Sequence, residues 1–265
     1  MAGEITVRNS GNGLERSRRF GVTLTLCAII VFSSTGAAQQ TVQPAGKART
    51  SPEAKSPFFE AEELLRQGSD EEAKKNVLET LKLHPASVDG YNLLGIIYAH
   101  QKNYEAAIES FQHALKLDPN STRSHVNLGN SLVAQEKLEL AEKEFRAALR
   151  QEPSNRDGNY NLGLVLLARG QPSEAVRFFQ RVHPADAGTL FNLIRAYLRS
   201  DRTADGLKLA AEVSAQGKED VRLHFTLGGL LASEKQYEAA QHELEKANSL
   251  EPRSEERRVG KECRL

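Results

Sequence analysis

Residues 88–121 read VDGYNLLGIIYAHQKNYEAAIESFQHALKLDPNS, and this stretch decides the fold. Apolar residues recur at helical spacing through two runs of about 14 residues each. Between the runs lies the polar break Gln101-Lys102-Asn103, so the stretch reads as a helical hairpin. Gly95 and Ala107 are small where two antiparallel helices would cross closely, and Tyr98 and Phe111 are expected to fill the wider gaps beside them. A large residue at either small position should force the pair apart. Pro119 ends the second helix, and Asn120 and Ser121 offer caps for the next one. One such hairpin cannot bury its apolar face alone, so its stability has to come from stacked neighbours.

The neighbours repeat the pattern. Pro85, Pro119 and Pro153 are 34 residues apart, and Pro252 falls in the same phase once a deletion of three residues is allowed. Leu94-Gly95, Leu128-Gly129 and Leu162-Gly163 keep the same step, and Leu227-Gly228 rejoins it after the deletion. Ala73, Ala107, Ala141 and Ala175 follow suit, then Gly206 and Ala240 in the shifted frame, while Phe111, Phe145 and Phe179 form a third series.

These residues resemble the tetratricopeptide repeat, whose pattern sets an aromatic, Leu-Gly, Tyr, Ala, Phe, Ala and Pro at fixed intervals. Residues 88–121 carry nearly all of it in Tyr91, Leu94-Gly95, Tyr98, Ala107, Phe111, Ala114 and Pro119. Residues 122–155 and 221–252 match almost as well. Residues 156–186 fit with a shortened end that places Pro184 one turn early. The stretches 54–87 and 187–220 are degenerate, the first lacking Leu-Gly and the second carrying Leu193-Ile194 and no closing proline. The resemblance implies an all-α fold, a right-handed superhelical solenoid of antiparallel helix pairs with six repeats between Ala54 and Pro252. It also implies a protein that binds other proteins or extended peptides.

Composition agrees with helix. Aromatic residues make up 6% of the chain and Trp is absent, so Ala and Leu dominate the apolar set, and both favour helix. The 35 basic and 35 acidic residues balance, which gives no general pull toward nucleic acid or an anionic membrane.

The two ends read differently from the body. Arg16, Arg18 and Arg19 precede an apolar run from Phe20 to Phe32, and Gly36-Ala37-Ala38 then offers small residues before Gln39. Residues 1–38 are therefore expected to be an export signal cleaved after Ala38. The run is shorter than the roughly 20 residues needed to cross a bilayer, which leaves a permanent membrane anchor as the weaker reading and predicts no integral span after cleavage. The expected location is the periplasm or the exterior. Residues 39–53, rich in Gln, Ala, Pro and Lys, read as a linker without apolar period. At the other end, residues 253–264 resemble the conceptual translation of a widely used sequencing-library adapter, so 253–265 is set aside and the array is expected to be the front portion of a longer one. Without both ends, 26 basic and 30 acidic residues remain, and both cysteines, Cys27 and Cys263, are gone. Thiol chemistry, disulfides and zinc–thiolate sites disappear together.

The body shows no catalytic set. His242-Glu243 does not continue into a zinc-binding His-Glu-x-x-His, and His100, His113, His125 and His224 lie in separate helical runs without paired ligand spacing. His125 and His224 hold the slot of Tyr91, which predicts packing at the start of a repeat. Gly11-Asn12-Gly13 lacks the strand and helix a phosphate loop requires. Glu139, Glu142 and Glu144 are interleaved with Lys137, Lys143 and Arg146, which predicts a solvated helix face. Asn120-Ser121-Thr122 is formally a glycosylation sequon, and helix capping explains it more simply. No metal, cofactor, nucleic acid or enzymatic activity is expected.

One constellation points to binding. Asn127, Asn161 and Asn192 each fall immediately before the Leu-Gly slot of successive repeats, and Asn130 follows Asn127 by one turn. Stacking would align them as a ladder on the concave face, where in proteins that this chain resembles such asparagines hold an extended peptide by its backbone. An amide offers both donor and acceptor, so it grips a peptide group without demanding one sequence. Arg195 and Arg199 are expected to add an acidic preference at one end. The sequence thus predicts a peptide-binding scaffold of the cell envelope. Its rival is the recruiting arm of a larger enzyme, such as a glycosyltransferase or peptidase, with a catalytic domain beyond Pro252.

Overall fold

The computed structural model describes residues 56–251. The expected export segment with its cleavage point after Ala38, the linker, Pro252 and the adapter-like tail lie outside the described residues. All described residues belong to one compact unit. They form twelve helices and no strand, in the order α1 (Phe59–Arg66), α2 (Asp70–Leu83), α3 (Val88–His100), α4 (Tyr104–Leu117), α5 (Thr122–Ala134), α6 (Leu138–Gln151), α7 (Arg156–Ala168), α8 (Pro172–Phe179), α9 (Ala187–Leu198), α10 (Thr203–Gln216), α11 (Val221–Ser233) and α12 (Tyr237–Leu250). Each helix packs on the one before and the one after it, the nearest-neighbour arrangement of a solenoid.

Local chemistry explains where the helices stop and start. Ser87, Ser121, Asn155, Asp186 and Asp220 each accept a hydrogen bond from the backbone N–H three residues on, capping α3, α5, α7, α9 and α11. Of the sequon residues, the cap is therefore Ser121. Asn120 instead accepts from Gln151 Nε2 at 3.0 Å. The tight turn inside each hairpin is equally regular. Gly68, Lys102, Glu136, Gly170, Asp201 and Lys235 all have positive φ, between 52° and 79°. The N–H of the following residue reaches back to the carbonyl five residues earlier, as in Asn103 to Tyr98 at 2.9 Å and Gln171 to Leu166 at 2.8 Å. This is the left-handed C-terminal cap that a helix uses to satisfy its last carbonyls.

The core of the three central hairpins is a row of rings, one in each. A Cβ placed on Gly95 would lie 2.5 Å from Cε1 of Phe111, one on Gly129 2.6 Å from Phe145, and one on Gly163 2.7 Å from Phe179. The glycines are thus small because a phenylalanine of the partner helix lies directly on them. Phe111 does not fill a gap to one side, as the sequence alone had predicted. Tyr98 also differs from expectation: it packs against the clusters on both sides of α3, so it fills the space between hairpins. The degenerate repeats redistribute the same volume. Ala61 faces the slot of Val77 within one cluster, and Ile194 takes the glycine slot while Ala210 takes the phenylalanine slot in another. Bulk moves from one helix to the other while the pair still closes.

Polar stitches join successive hairpins on the outside of this core. The residue just after an odd-numbered helix reaches back to the second residue of the preceding even-numbered helix, as Gln101 does to Glu71 at 2.8 Å and Arg169 to Glu139 at 3.3 Å. No helix among the described residues is long and apolar enough to cross a membrane.

Candidate functional site, the inner helical face

From α3 onward, consecutive odd-numbered helices touch one another directly, whereas consecutive even-numbered helices do not meet to the same extent. The odd-numbered set is therefore the inner layer of the stack. Its exposed surface is built from residues that sit one step or one turn away from the buried Leu-Gly positions.

The asparagines lie on this layer, half-buried, Asn127 and Asn130 on α5, Asn161 on α7 and Asn192 on α9. Asn161 donates from Nδ2 to Oδ1 of Asn130 at 2.8 Å. The two amides thus bridge adjacent repeats, and Asn130 Nδ2 and Asn161 Oδ1 stay without a protein partner among the described residues. One donor and one acceptor remain on offer, the complement of a peptide group. Asn192 donates to the Tyr160 hydroxyl at 3.2 Å and accepts from Nη1 of Arg195 at 3.1 Å. Asn127 keeps the register of the row; its backbone carbonyl accepts from Ser131 Oγ at 3.1 Å, and its side-chain amide has no partner among the described residues. The row ends on both sides, because Leu93 and Thr226 hold the same slot in the flanking repeats.

Arg195 and Arg199 converge on Glu234 at the end of α11. Arg199 makes a two-pronged contact, Nε at 2.9 Å and Nη2 at 2.6 Å, and Arg195 approaches at 3.4 Å. Burial pushes the Arg195 guanidinium below its ordinary value, and Glu234 pulls the other way. Sequence reasoning missed Glu234. Its signal was a glutamate in the slot that holds Gln101, Gln135 and Arg169 elsewhere.

A second row was also missed. Tyr160, Phe191 and Phe225 each stand one residue before the asparagine slot of their repeat, and Tyr160 touches Asn192 of the next helix through its hydroxyl. Burial raises the Tyr160 phenol, with Asp186 adding to the effect. Phe225 is 64% exposed. Three aromatics recurring in one slot were visible in the sequence, though helical packing accounted for them equally well.

Two expectations about charged side chains need correction. His125 and His224 are more than packing residues. Nδ1 of each lies 2.7 Å from a glutamate of the following helix, Glu144 and Glu243, and Nε2 of each meets a backbone carbonyl, of Pro119 and Lys218. Nor is the acidic face of α6 simply solvated. Glu142 is 13% exposed and pairs with Arg146 at 2.8 Å and with Arg169 of the next repeat, while Arg146 also reaches Glu174 at 2.8 Å. The partners come from different repeats, so sequence interleaving within one helix could not reveal them. Among the described residues no group of three or more His, Cys, Asp or Glu side chains is placed to hold a metal ion.

Four family profiles, each described as tetratricopeptide repeat, match residues 88–121, 126–188, 166–229 and 221–254. No curated protein matches the sequence. Among solved structures, YrrB, described as a TPR protein with an unusual peptide-binding site, is 23% identical with a TM-score of 0.56, over 67% of this chain and 93% of its own. PilF of Pseudomonas aeruginosa is 21% identical with a TM-score of 0.58, over 77% of this chain and 94% of its own. The C-terminal part of a TPR repeat-containing protein from Cytophaga hutchinsonii is 15% identical with a TM-score of 0.59, over 73% and 78%. At these identities the likeness is one of fold. The profile matches together span more than half of the sequence, and with twelve helices stacked in hairpins of that period, the chain belongs to the tetratricopeptide-repeat family.

Proposed function

We propose that this chain is a non-catalytic scaffold of the cell envelope that holds other proteins by extended segments laid along its inner face. The observation that carries this reading is the Asn130–Asn161 bridge, which leaves one donor and one acceptor of the amide pair without a protein partner in the middle of the inner layer. A peptide backbone presents the matching acceptor and donor whatever its side chains are. Asn192 extends the row by one rung on α9, and Asn127 flanks Asn130 one turn away on α5. YrrB, of similar fold, is itself described as having a peptide-binding site. The basic, then apolar, then small-residue order of the first 38 residues supports action outside the cytoplasm.

The test is binding of the full chain to an array of N-acetylated, C-amidated 12-residue peptides of mixed sequence. Sequence-tolerant binding is expected, and it should be lost when Asn127, Asn130, Asn161 and Asn192 are all changed to Ala. Undiminished binding by that variant would remove the groove from the reading. Fractionation of cells expressing the full chain checks the location, and retention of the protein with the cytoplasm would remove the envelope role.

A further inference from the structure

The inner face changes character along the array. The slot one turn beyond the asparagine row holds Ile96 on α3, Asn130 on α5 and Leu164 on α7, and then Arg195 on α9. Arg195 and Arg199, one turn apart on α9, both lean on Glu234. Among the described residues Glu234 is the only carboxylate within 4.0 Å of either guanidinium. Its side chain is 9% exposed, against 37% for Arg195 and 48% for Arg199. Two cations therefore share one anion, and the anion is the buried member. One positive charge is left over on the accessible side.

The surplus is aimed. Nη1 of Arg195 rests on Oδ1 of Asn192, which fixes the guanidinium beside the amide row. Phe191 stands one turn before Arg195 on the same helix, half-buried. A cation that is partly desolvated and held by hydrogen bonds attracts a carboxylate more strongly than one on a free surface side chain. An apolar wall beside it favours a ligand with an apolar residue next to its charge.

We propose that Arg195 and Arg199 select an acidic side chain, aspartate or glutamate, within the extended segment, and that Phe191 receives an apolar side chain beside it. This rests on the peptide-holding reading above. The group is an internal side chain because the inner layer continues past Arg195 onto α11, so a bound chain passes the arginines without having to end there.

The experiment uses the full chain and the same N-acetylated, C-amidated 12-residue peptides, with each position scanned as Asp, Glu, Asn and Gln. Asp or Glu at one position is expected to strengthen binding about tenfold over Asn or Gln, the worth of one charge-assisted hydrogen bond, and added salt should erode that gain. Arg195→Gln and Arg199→Gln should each reduce the preference, and Arg199→Gln, which does not touch the amide row, should leave binding of neutral peptides in place. Glu234→Gln removes the competing anion and should increase the preference, a change of opposite sign that loss of folding cannot produce. Equal binding of acidic and neutral peptides overturns this proposal while leaving the groove intact. So does an acidic preference that survives Arg195→Gln and Arg199→Gln together. Absence of binding to any peptide removes the peptide-holding reading itself.

Discussion

Nδ1 of His224 lies 2.7 Å from Oε2 of Glu243, and the same two atom types of His125 and Glu144 are also 2.7 Å apart, each histidine preceding its glutamate by 19 positions. Each pair clasps the first turn of an inner helix to the middle of the outer helix that follows. In 88–121 the clasp is absent, and Tyr91 instead stacks on His113 with ring centroids 5.2 Å apart. Both solutions tie the two helices of a hairpin at the same level, one by a hydrogen bond and one by ring contact.

The His125 clasp makes stability pH-dependent. Donating a hydrogen bond to Glu144 raises the imidazole above its ordinary 6.5, with burial opposing it. A raised folded-state value contributes stability that is complete below 6.5 and fades as pH climbs through the folded value. The urea midpoint followed by circular dichroism should therefore fall over that interval. Glu144→Gln should flatten this part of the profile, and an unchanged slope in the variant would assign the effect elsewhere.

Glu243 works in the opposite direction. Burial pushes its carboxyl up, but hydrogen bonds from His224, Lys246 and Ser214 outweigh this and leave it below the ordinary 4.5. Its contribution is present above 4.5 and is lost as pH falls through the folded value. Removing one partner of a buried pair costs about 3 kcal/mol or more, and His224 is only 1% exposed. Glu243→Ala is thus expected to loosen the α11–α12 hairpin first. Hydrogen exchange should show α11 and α12 losing protection while α3 to α6 keep theirs, since repeats feel mainly their neighbours.

The glycine–phenylalanine contacts predict a compensated double substitution. Gly129→Ala drives a methyl group into the Phe145 ring and should cost about 1–3 kcal/mol, as overpacking does. The first hairpin already pairs Ala61 with Val77 in these slots. Phe145→Val on its own should be destabilising because it opens a cavity, yet combined with Gly129→Ala it should cost less than the sum of the two single changes. A double-mutant cycle in urea measures the coupling, and strict additivity would argue against direct contact.

The positive-φ turn residues give two changes of opposite sign at equivalent positions. Glu136 adopts φ 59° and Gly170 φ 72°. A non-glycine residue costs about 1 kcal/mol or more in this region. Glu136→Gly should accordingly gain roughly that amount, less the extra freedom glycine has in the unfolded chain, and Gly170→Ala should lose a similar amount. Thermal unfolding of the two variants side by side checks the sign.

Period and hairpin were legible because Gly95, Ala107, Phe111 and Pro119 recur with a spacing that local chemistry enforces. What was not legible depended on which side chains meet across repeats. Arg169 comes from one hairpin and Glu142 from the one before, and Arg199 and Glu234 are 35 residues apart. Their pairing follows from stacking geometry, which no single-helix pattern encodes. The register of the asparagines was visible in the same way as the core positions. Their hydrogen bonds were not, because Asn161 finds Asn130 and not Asn127, the residue one repeat away in its own slot.

That choice of partner sets the last prediction. Asn161→Ala removes a half-buried amide whose only hydrogen bond among the described residues goes to another half-buried amide. Both ends can be solvated once it is gone, so the cost to folding should stay within about 0.5–1 kcal/mol. For a bound peptide the loss is larger, because Asn161 Oδ1 and the orientation of Asn130 vanish together. One or two hydrogen bonds of ordinary worth correspond to a drop in affinity of about five- to thirtyfold. Asn127→Ala, which leaves the bridge in place, should cost less. Titration of one peptide against both variants, alongside their urea midpoints, compares the two. An Asn161→Ala protein that binds as tightly as the parent at unchanged stability would mean that the bridge is packing and that the peptide lies elsewhere.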